Sequence, residues 1–143
     1  MSSRTTLTWK GEMSFDAEVN GHHIILDADD QWGGKDRGPR PKPLLLASLS
    51  GCSGMDVISI LDKMRIMDYQ LRIDVDADST TDHPVYYHTI RMSFYFSGED
   101  LPPDKITKAV DLSTQRYCGV YEMLRQSANI IVKTYINEKE VVQ

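Results

Sequence analysis

One segment constrains the fold of this chain more than any other. From Pro43 to about Met64, apolar residues occupy most sides of what the pattern predicts to be a single long helix, and Pro43 suits its first turn because an N–H is not needed there. A helix that is apolar nearly all round must be covered on every side. The strands of a 143-residue chain supply too little cover alone. The segment therefore predicts a central, buried helix and a homodimer.

Strands and shorter helices flank this segment. Alternation of apolar and polar residues predicts strands at 6–9, 13–19, 22–27, 69–76, 86–96 and 130–136. Asn20-Gly21 predicts a tight hairpin turn, because both residues tolerate a positive φ. Further helices are predicted at about 104–113 and 118–125. No repeat or linker divides the chain, so we expect one α+β domain spanning residues 1–143.

Composition narrows the functional classes. The chain has 41% hydrophobic and 26% charged residues, which is typical of a soluble globular protein. Its net charge of −5 is not offset by a basic block, which argues against a nucleic-acid partner. We find no apolar run approaching the ~20 residues that span a bilayer and no signal peptide at the N-terminus. We therefore expect a cytoplasmic protein without a membrane partner, whose cysteines are reduced, catalytic or sensing rather than permanently bridged.

The two cysteines are the candidate reactive groups. Cys118 is predicted to open a helix, where unpaired N–H groups and the helix dipole lower a thiol pKa. Cys52 lies in the middle of the long helix, so its activation would need a nearby cation such as Arg37 or Arg40. The alternative remains that both are inert, because free cysteine is often a small buried hydrophobe.

Other titratable residues give weaker signals. Asp56 shares a helical face with Cys52 and could raise its pKa, orient an arginine or make an ordinary polar contact. His88 lies on the apolar face of its strand and is expected to be a hydrogen-bonded core histidine. There is no CxxC motif, and the spacing of the cysteines and histidines predicts neither a metal site nor a cofactor site.

Two stretches resemble a known family. Residues 38–46 (GPRPKPLLL) and 49–57 (LSGCSGMDV) resemble the central-helix motif of the OsmC/organic hydroperoxide resistance family, and Cys118 after a short helix agrees with it. The resemblance implies two antiparallel β-sheets wrapped around long central helices in an intertwined homodimer. It also implies thiol-dependent reduction of organic hydroperoxides, with Cys52 as peroxidatic thiol, Cys118 as resolving thiol and a lipoyl-type dithiol as reductant. No cofactor is implied.

The chain departs from the family at one position. Hydroperoxide-specialised members carry a glutamate ten residues before the first cysteine, and it holds a catalytic arginine; here that position is Lys42. Arg40 is the substitute candidate for that arginine. The departure suggests an OsmC-like branch, and the alternative function is a non-enzymatic stress protein that binds a small molecule or senses redox state.

Overall fold

A computed structural model describes residues 1–142, which form two compact units that divide after Leu45. In chain order the elements are β1 (Thr5–Gly11), β2 (Ser14–Val19), β3 (His22–Leu26), a 3₁₀ helix (Asp30–Trp32), α1 (Pro43–Lys63), β4 (Gln70–Ser79), β5 (Tyr87–Ser97), α2 (Pro103–Leu112), a π-helical turn (Ser113–Tyr117), α3 (Gly119–Leu124), β6 (Asn129–Ile136) and β7 (Lys139–Glu140). The α+β class is confirmed. The single domain stays a prediction.

The first unit contains an antiparallel sheet in the order β1-β2-β3. Asn20 and Gly21 have φ values of 51° and 77°, which confirms the hairpin turn between β2 and β3. Asp27, directly after β3, is buried, and its carboxylate accepts hydrogen bonds from the backbone N–H groups of Ala28, Lys35 and Arg37. One side chain therefore organises the glycine-rich loop that follows the sheet.

The core of the second unit lies on one face of β5. Ile90, Met92, Phe94 and Phe96 alternate along this strand and are buried, as the period of two predicts. The helices pack apolar residues into the same cluster, namely Leu49, Val57 and Leu61 from α1 and Ile106, Ala109 and Val110 from α2. His88, at the exposed end of β5, is an exception: its ring Nδ1 lies 2.8 Å from Thr89 Oγ1 and the residue is exposed. The expectation of a core histidine is wrong.

The sheet of the second unit is mixed rather than antiparallel. Its order is β4-β5-β6-β7, and β5 pairs in parallel with β6, with Ile90 opposite Ile130. Parallel neighbours need a crossover connection, and here α2, the π-helical turn and α3 supply it. The expectation of two antiparallel sheets is therefore wrong for this one. The two short helices predicted between the strands at 86–96 and 130–136 were the sequence signal for the crossover.

Helix α1 has two unlike sides. Its buried residues are Leu49, Ser53, Gly54, Val57 and Leu61. On another side Met55 and Ile58 are 75% and 51% exposed. Within the described chain the helix is thus covered on one side, so the expectation of burial all round does not hold for one subunit.

The glycines of α1 follow the same division. A Cβ at Gly54 would lie 3.0 Å from Ile73 Cδ1 of β4, so the missing side chain lets helix and sheet approach closely. A Cβ at Gly51 would meet none of the described heavy atoms within 4 Å. Both glycines weaken the helix relative to alanine. Close packing against the sheet explains the glycine at position 54, whereas Gly51 faces outward.

The length and composition of α1 also decide whether this helix could cross a membrane. The helix is long and apolar enough to cross a bilayer, a test that the core helix of a soluble protein also passes. The expectation that no apolar run approaches this length is therefore wrong. The expected absence of a membrane partner stays a prediction.

Candidate active site

The fold brings the two cysteines together although they are far apart in sequence. Cys52 lies in the middle of α1, and Asp56 follows it by one helical turn. Cys118 arrives from the crossover between β5 and β6. The sulfur atoms of Cys52 and Cys118 and a carboxylate oxygen of Asp56 all lie within 4.8 Å of one another. Two thiols and one carboxylate therefore form a compact cluster.

Cys118 is held at the start of α3 by its own sulfur. The residue is the N-cap of the helix, with extended backbone angles, and its Sγ accepts a hydrogen bond from the Tyr121 N–H at 3.3 Å. The first N–H groups of a helix have no partner inside it, which is why a side-chain acceptor is favoured there. The Ser53 hydroxyl donates a second hydrogen bond to the same sulfur, at 3.3 Å. Both contacts fix the position of the thiol.

The acidity of Cys118 differs from the sequence-based expectation. Burial raises the pKa of this thiol, which is 3% exposed; the hydrogen bonds from Ser53 and Tyr121 lower it, and the neighbouring Cys52 raises it further. The net result is a raised pKa. The prediction of a lowered pKa is wrong because burial outweighs the two donors at the start of a six-residue helix.

Asp56 is anchored by a serine from the crossover. The Ser113 hydroxyl lies 3.2 Å from Asp56 Oδ2 and also 3.2 Å from the Ser53 carbonyl oxygen. Ser113 begins the π-helical turn, and its own carbonyl accepts a hydrogen bond of 2.8 Å from the Cys118 N–H. A single buried serine thus connects the carboxylate on α1 to the segment that carries the second thiol.

Sequence reasoning missed Ser53 and Ser113. Both are fully buried, yet serine is mostly an exposed residue. Ser53 follows Cys52 and was overlooked as one of several small residues in α1. No local signal marks Ser113, because its partners Ser53 and Asp56 come from another helix.

Arg40 belongs to the first unit. Its Nη1 lies 2.8 Å from Asp36 Oδ1, four residues earlier, and donates a hydrogen bond of 2.8 Å to the Gly38 carbonyl. These contacts hold the guanidinium within the loop that precedes α1. A catalytic role for Arg40 stays a prediction.

A cavity of about 350 Å³ adjoins the thiol cluster on the Asp56 side. It lies between α1 and the middle of the crossover, and its lining residues are Asp56, Ser59, Ile60, Lys63, Leu112 and Tyr117. Most of the lining surface is apolar, and the lining residues also carry one carboxylate, one ammonium group and two hydroxyls. A small organic molecule with an apolar body and a polar end suits such a surface.

The fold and the cluster define a class of small α+β proteins with a three-stranded sheet, a four-stranded mixed sheet and two thiols brought together from a long helix and a crossover. Residues 33–133 match the family described as OsmC-like protein, and the chain belongs to that family. It is 32% identical over 124 residues to Protein YhfA of Escherichia coli K12, covering 87% of this chain and 86% of that protein.

Solved structures agree with this assignment. A hypothetical protein from Aquifex aeolicus VF5 superimposes with a TM-score of 0.84 at 27% identity, covering 96% of this chain and 97% of that chain. The organic hydroperoxide resistance protein OhrB of Bacillus subtilis superimposes with a TM-score of 0.63 at 13% identity, covering 96% and 98% of the two chains. The second likeness concerns the fold alone.

Proposed function

We propose that the chain reduces organic hydroperoxides, with Cys52 as the attacking thiol and Cys118 as the resolving thiol. The observation that carries the proposal is the meeting of both sulfurs and the Asp56 carboxylate within 4.8 Å. Sulfurs that form a disulfide are about 2.05 Å apart. The two thiols therefore need to approach by less than 3 Å.

The environments of the thiols support this division of roles. Cys52 is half-buried, whereas Cys118 is buried, so a hydroperoxide reaches Cys52 more easily. The thiolate is the nucleophilic form of cysteine, and the raised pKa of Cys118 keeps that residue protonated at neutral pH. A buried, protonated thiol held by two hydrogen bonds suits a partner that reacts second.

The proposed catalytic cycle has three balanced steps and returns both thiols to the reduced state. The Cys52 thiolate attacks the terminal oxygen of ROOH, the O–O bond breaks, and one proton completes ROH while Cys52 becomes a sulfenic acid. The Cys118 sulfur then displaces hydroxide, which leaves with the thiol proton as water, and the Cys52–Cys118 disulfide forms. A dithiol of the lipoyl type reduces this disulfide by exchange and is itself oxidised to a disulfide.

Relatives support the proposed substrate class. The Bacillus subtilis protein is by its name an organic hydroperoxide resistance protein, as is a protein from Elizabethkingia anophelis with a TM-score of 0.71 at 12% identity. The cavity beside Asp56 has the size and apolar lining for a small organic hydroperoxide. We place the protein in the cytoplasm, where a dithiol keeps the pair reduced.

A homodimer completes the proposal. The outward side of α1 presents Gly51, Met55 and Ile58, an apolar stripe with a small residue at its N-terminal end that would let another helix approach closely. In the sheet of the first unit, Leu7 and Trp9 are also exposed, and a small sheet is rarely stable without cover on one face. A second copy of the chain would cover such surfaces.

The test is the intact mass and free-thiol count of the reduced protein before and after one equivalent of cumene hydroperoxide. We expect the loss of two hydrogens, no free thiol, and cumyl alcohol in equal amount. Cys52→Ser should leave the hydroperoxide intact, whereas Cys118→Ser should still release alcohol and retain a sulfenic acid that a dimedone probe traps. Two unchanged thiols in the unmodified protein would contradict the proposal and favour a ligand-binding role for the cavity.

A further inference from the structure

We infer that the reduced protein binds one thiophilic divalent cation through Cys52, Cys118 and Asp56, and that Zn²⁺ is the cation whose coordination chemistry the cluster matches. The same residues serve the proposed peroxidase, but the inference does not require that activity. It rests on the geometry of three donor atoms and on the hydrogen bonds around them.

The distances fit a single ion. Zinc lies about 2.3 Å from a thiolate sulfur and about 2.0–2.2 Å from a carboxylate oxygen. In a tetrahedral zinc site two sulfurs are therefore about 3.8 Å apart, and a sulfur and an oxygen about 3.5–3.7 Å. The three donor atoms of the cluster already lie within 4.8 Å of one another. Side-chain rotations that bring the donor atoms about 1 Å closer together suffice to place them on one cation.

The donor set selects the kind of cation. Thiolates favour soft and borderline ions such as zinc over magnesium or calcium, which prefer oxygen ligands. Three protein ligands leave the fourth tetrahedral position open, as in zinc sites that hold a water or an external ligand. The cavity lined by Asp56, Lys63 and Tyr117 borders one of the three ligands, and we expect an external ligand to approach from that side.

Outer hydrogen bonds already orient two of the three ligands. Ser113 donates to Asp56 Oδ2, and Ser53 and the Tyr121 N–H donate to the Cys118 sulfur. All three contacts persist when the thiol becomes a thiolate, because the sulfur and the carboxylate act only as acceptors in them. Such partners orient metal ligands, and their loss commonly weakens affinity about 10- to 100-fold.

Binding has a defined proton and redox balance. Zn²⁺ replaces the two thiol protons, so two protons leave for each cation bound, and no electron is transferred. Oxidation to the Cys52–Cys118 disulfide removes both thiolate ligands. Cation binding and disulfide formation therefore exclude each other at this site.

The experiment uses the full chain, reduced with a phosphine and freed of metal. Zn²⁺ is titrated against a chromophoric chelator, and Co²⁺ is used as a spectroscopic probe. We expect one Zn²⁺ per chain, two protons released, and a sulfur-to-cobalt charge-transfer band with the visible absorption of a tetrahedral site. Protein oxidised with diamide, its internal disulfide verified by mass, should bind neither ion.

Variants assign the ligands. Cys118→Ser should abolish the charge-transfer intensity of one sulfur, Asp56→Asn should weaken Zn²⁺ binding at least about tenfold, and Ser113→Ala should weaken it about tenfold. Asp62→Asn, an exposed carboxylate on the same helix, is the matched control. Affinity unchanged by diamide, or by both Cys118→Ser and Asp56→Asn, would overturn the inference. The readouts contain no hydroperoxide, so zinc binding without peroxidase activity, or the reverse, separates the two proposals.

Discussion

The Ser53 hydroxyl donates a hydrogen bond to the sulfur of Cys118, 65 positions further along the chain. The contact joins the long helix α1 to the crossover that brings Cys118 beside Cys52. Ser53 also lies next to Cys52 in sequence, so one turn of helix supplies the first thiol and the donor that positions the second. The reactivity of Cys118 is thereby tied to the packing of α1.

Removing this donor should make Cys118 less reactive. In Ser53→Ala the sulfur keeps only the Tyr121 N–H of its two described donors, and the thiolate loses about 1 kcal/mol of stabilisation, a factor of about five. We expect alkylation of Cys118 to slow by that factor in a Cys52→Ser background, followed by mass spectrometry in the presence of a chelator. Ser48→Ala, exposed on the same helix and outside the cavity lining, is the control and should leave the rate unchanged.

Arg40 should matter for the reaction of Cys52 rather than for folding. A cation that stabilises the attacking thiolate contributes on the order of 1 kcal/mol or more. Arg40→Ala should therefore slow hydroperoxide consumption roughly tenfold, measured as alcohol released in single-turnover reactions. Arg72→Ala removes another surface arginine, which pairs with Asp74, and serves as control. Equal rates for the two variants would rule out Arg40 as the cation that activates Cys52.

The outward side of α1 should control assembly. Ile58→Glu places a charge on the apolar stripe that we assign to the dimer, and burying it unpaired would be strongly unfavourable. Sedimentation equilibrium should show monomers for this variant at concentrations where the unmodified protein is dimeric. Met123→Glu is the matched control, because Met123 is comparably exposed on α3. Dissociation of the control alone would place the interface elsewhere.

The two glycines of α1 should respond differently to alanine. Alanine is favoured over glycine within a helix by about 1 kcal/mol. At Gly54 the added methyl group meets Ile73 at 3.0 Å, and overpacking costs about 1–3 kcal/mol. We expect Gly54→Ala to lower the free energy of unfolding relative to Gly51→Ala, with both measured by urea denaturation. A Gly54→Ala protein as stable as Gly51→Ala would show that Ile73 moves aside.

Asp27 should make stability depend on acid pH. Burial raises the pKa of its carboxyl, but the hydrogen bonds from the N–H groups of Ala28, Arg37 and Lys35 outweigh burial and hold the pKa below its ordinary value. The folded-state pKa thus lies below the unfolded value near ~3.9. The stabilisation is complete above that pH and is lost as the pH falls through the folded-state pKa. Asp27→Asn should be less stable at pH 7 and lose less stability on acidification, whereas Asp30→Asn, an exposed carboxylate in the same loop, should behave more like the unmodified chain.

Periodicity predicted most of the secondary structure because it records which side of each element is buried. The alternating residues of β5 and the apolar run of α1 placed both elements within a few residues of their observed bounds. Pairing direction, however, depends on connections: the parallel register of β5 and β6 follows from the crossover, which no pattern within either strand reveals. The short strand β7 was not predicted, because it consists of two charged residues and contains no apolar run.

The sequence predicted which cysteines form the candidate site, but it did not predict their electrostatic surroundings. Cys52 and Cys118 stand out because they are the only two cysteines of the chain. The raised pKa of Cys118 and the Ser113 contact to Asp56 arise from burial and from residues of other elements. Only the folded chain brings these groups together.

The crossover between β5 and β6 also determines how long parts of the chain stay unpaired during synthesis on the ribosome. About 30 residues separate the two strands, so a ribosome adding roughly 5–20 residues per second needs about 2–6 s to reach the start of β6 after β5 is complete. During that interval β5 has β4 as its neighbour but presents its other edge unpaired. A longer delay separates the two cysteines, because Cys118 follows Cys52 by 66 residues and is added about 3–13 s later at the same rate. Cys52 is therefore a solitary thiol, open to cellular oxidants and chaperones, before its partner exists.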